Sequence, residues 1–147
     1  MADWAAIRAA IATQMGAAAS VKESLSTEAT GVGSVPTVRV LHTESVEVDE
    51  ESGGRGAGFE ARIATIKGIL LVEQSSDVGR AVDACEPIVE ELFAAARQGI
   101  KLGYPHIVSD SYLDAAEVGD ITFGGADWIG AGLTWVVKVR EAVTRTA

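Results

Sequence analysis

The chain has 147 residues, 21 acidic against 12 basic side chains and a formal net charge of −9, which disfavours unaided binding to a nucleic-acid backbone. The length suits a single domain over residues 1–147, and the lone Cys85 excludes an internal disulfide and points to a reducing compartment. Asp3 and Arg8 interrupt the first apolar run and no stretch of membrane-spanning length is present, so neither a signal peptide nor a membrane partner is expected.

Asp3 is a good N-cap, and Trp4, Ile7, Ile11 and Met15 come after it at helical spacing, giving a helix from Asp3 to about Ala18. Its only basic residue is Arg8, so the apolar face is assigned to packing rather than to a lipid surface. Ser20 to Pro36 carries little periodicity and is read as a connector, with a short strand near Val21 to Leu25. Pro36 keeps helix from running into the first long strand.

Thr37 to Val72 is the organising stretch. A first run from Thr37 to Leu41 continues through Val46 and Val48, and a second begins at Phe59 and ends in Ile69-Leu-Leu-Val72. The acidic, glycine-rich residues 49–58 between them read as the tip of a long hairpin arm. The apolar parity of the second run changes close to Gly68, which predicts a β-bulge there or a strand entering a sheet covered on both faces.

Ser76 or Asp77 can cap a second helix with the stripe Val78, Val82, Cys85, Val89, Leu92, Phe93 and Ala96. Pro87 either kinks it or starts a second piece, and Gly99 ends it. Ile100 to Tyr112 reads as irregular and Asp114 to Gly119 as a turn or the beginning of a strand. Ile121 to Phe123 and Leu133 to Arg140 are strands joined through Gly124-Gly-Ala-Asp127. The order helix, strand, strand, helix, strand, strand gives an α+β fold: an antiparallel or mixed four-stranded sheet with two helices packed on one face and a long β-hairpin arm.

No catalytic constellation emerges. A Gly-x-Ser-x-Gly elbow is absent, and neither His42 nor His106 has a nucleophile and an acid in recognisable order. Glycines 53, 54, 56 and 58 lack the Lys-Ser/Thr of a phosphate loop and lead into a strand instead of a helix, so no cofactor is expected. Glu44, Glu47, Asp49, Glu50 and Glu51 do not have calcium-loop spacing, and no metal is expected. Cys85 reads as a small buried hydrophobe.

Several stretches together resemble the tail terminator, or tail-completion, proteins of long-tailed noncontractile bacteriophages, a group that includes minor tail proteins of actinobacterial phages. They are the N-terminal helix with Trp4-Ala-Ala-Ile7, Val35-Pro36 before a strand, and a hairpin with a variable tip. Gly68-Ile-Leu-Leu-Val72 before the Asp77 helix and Phe123-Gly-Gly-Ala-Asp-Trp-Ile-Gly130 before a final strand complete the likeness. The resemblance implies a structural virion protein without an active site. It would be made in the host bacterial cytoplasm and act at the head-proximal end of the tail.

Copies would close into a hexameric ring that caps the tail tube protein, ends tube polymerisation and offers a joining surface to the head–tail connector or stopper protein. Genome DNA would pass through without specific binding. On this expectation Glu47, Asp49, Glu50 and Glu51 face the channel or the connector. Trp128 lies at a subunit contact, while Trp4 and Trp135 serve the core. A neck or stopper subunit, the tail tube subunit, and a small-ligand-binding or enzymatic α+β domain stand as alternatives.

Overall fold

The computed structural model describes residues 2–50, 54–56, 58–74, 78–104 and 107–142. Helix α1 spans Trp4–Met15; the Asp3 carboxylate accepts the Ala6 N–H at 3.1 Å, so the expected N-cap forms. Ile7, Ile11 and Met15 turn inward from it, and the helix stops at Gly16, short of the expected Ala18.

The strands are β1 (Glu23–Ser26), β2 (Thr37–Val48), β3 (Arg55–Gly56), β4 (Phe59–Glu73), β5 (Val108–Phe123) and β6 (Ala126–Ala142), with helix α2 (Val78–Ala96) between β4 and β5. They form one mixed sheet in the order β1-β2-β4-β6-β5, β3 pairing with β4 off that path. This overturns the expected four-stranded sheet, although the α+β class fits. The short strand expected near Val21 to Leu25 is present as β1, and it enlarges the sheet by pairing parallel with β2 from Glu23↔Thr37 to Ser26↔Val40. Residues 108–112, expected to be irregular, and 114–119, expected to be a turn or the beginning of a strand, run on into Ile121–Phe123 as one long edge strand.

Nor does the β2–β4 hairpin stand out as an arm. Strand β4 is paired on its second edge with β6 from Phe59↔Ala142 to Glu73↔Ile129, which makes it an inner strand. The hairpin that overruns the sheet is β5–β6, whose pairs Ile121↔Trp128, Thr122↔Asp127 and Phe123↔Ala126 lie past the end of β4. Its turn, Gly124-Gly125, has φ of 64° and 76°, the two positive values that a tight two-residue hairpin loop requires.

Both helices cover the same face of the sheet. Ile7, Ile11 and Met15 of α1 and Ile88, Val89 and Leu92 of α2 pack in one core with Val38, Val40, Ile66, Leu70, Leu133 and Trp135. Helix α2 is continuous through Pro87, which is exposed on its outer side. Val82, expected in the stripe, is 38% exposed, because it sits at the margin of a buried face centred on Cys85 and Leu92. The capping positions Ser76 and Asp77 lie outside the described residues.

The irregularity expected near Gly68 is present, but on the strand opposite. Register shifts fall between Val40 and His42 and between Thr43 and Ser45, across from Gly68 and its neighbours in β4. At Gly68 the Arg39 carbonyl and the Trp135 ring approach so closely that a Cβ would collide with both.

Candidate functional site

With no catalytic grouping indicated by the sequence, the functional question concerns surfaces, beginning with the acidic tip between β2 and β4. Strand alternation carries Glu47 to solvent opposite Ile63, and Glu50 is exposed beyond the strand end. Asp49 behaves differently. It is only 6% exposed, its N–H donates to the Ala61 carbonyl at 2.9 Å, and its own carbonyl accepts the Gly54 N–H at 2.8 Å.

The backbone therefore folds back on β4 at this point, and β3 extends the fold by pairing Arg55↔Glu60 and Gly56↔Phe59. The tip thus does not present Asp49 alongside Glu47 and Glu50 as one outward row. Glu51 lies outside the described residues.

Beneath the tip is an ion cluster that sequence reasoning missed. Arg62 Nη2 meets Glu141 Oε2 at 2.7 Å and its Nε stands 3.7 Å from Glu60 Oε1. Glu141 is buried, so this pair holds the far end of β6 to β4 across a partly dry contact. On the opposite face, Arg140 lies 3.8 Å over the ring of Phe59. The signal was charge alternation in β4 and β6, but only their pairing register brings the partners together.

At the other end of the sheet, Trp128 is half-buried and its Nε1–H donates to the Phe123 carbonyl at 3.0 Å, across its own hairpin. Thr122 Oγ1 donates to Asp127 Oδ1 at 3.0 Å, bracing the same turn. Trp128 is therefore rigidly presented on the overrunning hairpin. Trp135 is buried under the helices and Trp4 packs against the same core, as their spacing in the sequence led one to expect.

A strap around residues 29–31 crosses the face of the sheet that the helices leave open. Arg39, on that face, is buried and donates to Glu23 Oε1 at 2.7 Å, to the Gly31 carbonyl at 2.7 Å and to the Ala29 carbonyl at 3.1 Å. The strap also reaches the overrunning hairpin, where the Thr30 carbonyl packs on Gly124 so closely that a Cβ there would lie 2.8 Å away. Thr37 and Leu71 are buried at this end of the face, Ala61 and Val136 are buried farther along it, and the other inner-strand residues on it are half-buried or exposed.

Between α1 and α2 runs a groove of about 940 Å³, floored by Ala10, Ala17, Ala18 and Ala95. Two of its polar side chains are engaged with the protein itself. Gln14 Nε2 donates to the Ala96 and Gly99 carbonyls at 3.3 and 3.1 Å, while Glu91 accepts from the Ser20 N–H at 2.8 Å and the Ser20 hydroxyl at 2.5 Å. Those Ser20 bonds hold the Glu91 carboxyl below the usual carboxylate range. Gln14 and Glu91 are thus turned to the protein itself and do not converge on a ligand in this groove.

Cys85 is buried, and burial raises its thiol pKa, so it packs as a hydrophobe against Ile129. His42 is exposed on β2, and His106 lies outside the described residues. Among the described residues no three His, Cys, Asp or Glu side chains come together to hold a metal, and no helix is long and apolar enough to cross a membrane. Compared with known proteins, the chain matches no family model and no curated protein.

Proposed function

We propose that the chain is a structural subunit of a phage tail, a terminator whose copies close into a ring, the hexamer that the resemblance implies, on the head-proximal end of the tail tube. In this reading the protein is not an enzyme. Its work is geometric: the ring covers the growing end of the tube, stops polymerisation and offers a different surface to the connector or stopper, while DNA passes through the centre. The observation that carries the reading is the two-sidedness of the sheet. Both helices lie on one face, and among the described residues no helix covers the other. A subunit with two unlike outer surfaces suits a head-to-tail ring, in which each copy meets its neighbour through different patches.

Two local features support it. Glu47 and Glu50 are exposed carboxylates that would repel DNA from a channel wall, and the braced hairpin presents Trp128 beyond the sheet as a subunit contact. Asp49, being buried, takes no part in the acidic surface.

The test is imaging of tail tubes assembled with and without gold-labelled protein. The proposal expects label at one end of each tube and a bounded tube length. Label along the walls, or no label, sinks it. Neutralising Glu47, Glu50 and Glu51 together is expected to impair head joining or DNA passage with the ring intact, and Trp128→Ala is expected to reduce ring mass.

A further inference from the structure

Charge is distributed unequally between the two outer surfaces. In a chain of net charge −9, the open sheet face gathers Lys67, Lys138 and Arg140 on the inner strands β4 and β6. Ile66, Val137 and Val139 beside them in sequence are buried under the helices, so strand alternation sends the three cations to the far side. Two of them are engaged there: Lys67 Nζ donates to Thr134 Oγ1 at 2.9 Å and lies 3.8 Å from Glu44 Oε2, and Arg140 rests on Phe59. Ile63, half-buried, supplies an apolar patch between them, and Glu47 and Asp110 stand at the two margins in the row Glu47, Ile63, Lys138, Asp110.

The outer side of α2 has the opposite sign. Between the exposed Arg80, which pairs with Glu73, and the exposed Arg97, Asp83, Glu86 and Glu90 are exposed and, at spacings of three and four, share one stripe with the exposed Pro87. From Asp83 to Glu90 the helix rises about 10 Å. The four-residue offset between Lys67, which pairs with Thr134, and Lys138 spans about 13 Å of strand.

We infer that the acidic stripe of α2 in one copy docks on the basic centre of the open sheet face in the next, with Asp83, Glu86 and Glu90 over Lys67, Lys138 and Arg140. The carboxylates at both margins repel an acidic helix and confine it to the two central strands. The contact is head-to-tail, since the helices and the open face lie on opposite sides of one sheet. This rests on the ring reading and names the surfaces that would meet in it. The charges give the contact its register and its salt dependence, while Pro87 meeting Ile63 excludes water at its centre.

The experiment is sedimentation velocity of the full chain over a wide concentration range at low salt. The wild type is compared with D83K/E86K/E90K, with K67E/K138E and with all five substitutions in one chain. All lie on solvent-facing positions, and circular dichroism establishes that each variant is folded. The expectation is that wild-type mass rises with concentration, that each partial reversal weakens association about tenfold or more, and that the five-fold variant regains it. A wild type monomeric throughout overturns the inference, as does association indifferent to the partial reversals or absent from the combined variant. End-labelling of tubes is read separately. Wild type that associates by this contact yet labels no tube end overturns the tail function alone, and end-labelling by a variant unable to associate overturns the contact alone.

Discussion

Arg39 and Glu23 meet at 2.7 Å, joining the second strand of the sheet to the first while the same guanidinium holds two carbonyls of the strap above. Three of its four acceptors thus lie in residues 23–31, a stretch with little apolar content of its own. Arg39→Met keeps most of the volume and leaves these acceptors without their donor, so it is expected to cost about 3–5 kcal/mol. Glu23→Gln leaves Arg39 its carbonyls and is expected to cost about 1 kcal/mol. Urea unfolding of both variants checks the order, and equal losses would refute a role for the carbonyl contacts.

Gly68→Ala is expected to destabilise by about 1–3 kcal/mol, because the new methyl meets the Arg39 carbonyl and lies 2.6 Å from Trp135 Cζ3. Shrinking the ring with Trp135→Phe relieves only one of the two collisions. The double variant should therefore stay well below Trp135→Phe alone in thermal unfolding; full recovery would mean that the carbonyl had room to move.

Glu91 ties α2 to Ser20, and its lowered pKa makes the tie dependent on pH. A carboxylate whose folded pKa is depressed contributes stability above its unfolded value, near pH ~4.3, and loses it as pH falls through the lower folded value. Glu91→Gln should accordingly melt below the wild type at neutral pH, and the gap should close on acidification. A gap that widened at acid pH would contradict the assignment.

Cys85 is expected to resist alkylation in the folded protein, since it is buried and its thiolate is disfavoured. Mass spectrometry after iodoacetamide treatment should show modification in urea and little without it. Rapid native labelling would place the thiol at a surface.

Local chemistry made parts of this architecture legible from residues alone. Asp3 announced α1, Gly124-Gly125 announced the second hairpin, and Gly68 marked where the register slips. What was misread depends on partners distant in sequence. The short strand expected near Val21 to Leu25 is present as Glu23–Ser26, but nothing in its own residues marks its parallel pairing beside β2. Residues 108–120 alternate imperfectly, with Asp110, Asp114, Glu117 and Asp120 along an edge that faces water, a pattern easily taken for a loop.

Its neighbours Glu47 and Glu50 make Asp49 look like a surface charge. The turn back onto Ala61 takes it inside, and no spacing in the sequence records that turn. The opposition between Lys67 and Lys138 on the sheet and Asp83, Glu86 and Glu90 on α2 likewise needed the topology, because the positive residues are scattered among apolar ones.

Strand β6, the last in chain order, lies between β4 and β5 and not at an edge. During synthesis β4 therefore waits with one side unsatisfied until nearly all of these residues have emerged, and its closing pairs, such as Phe59↔Ala142, join residues far apart in sequence. Such pairing is slow to form and leaves strand edges open to other chains in the meantime. High expression is thus expected to divert newly made chains into aggregates before β6 arrives, and slower translation to raise the soluble yield.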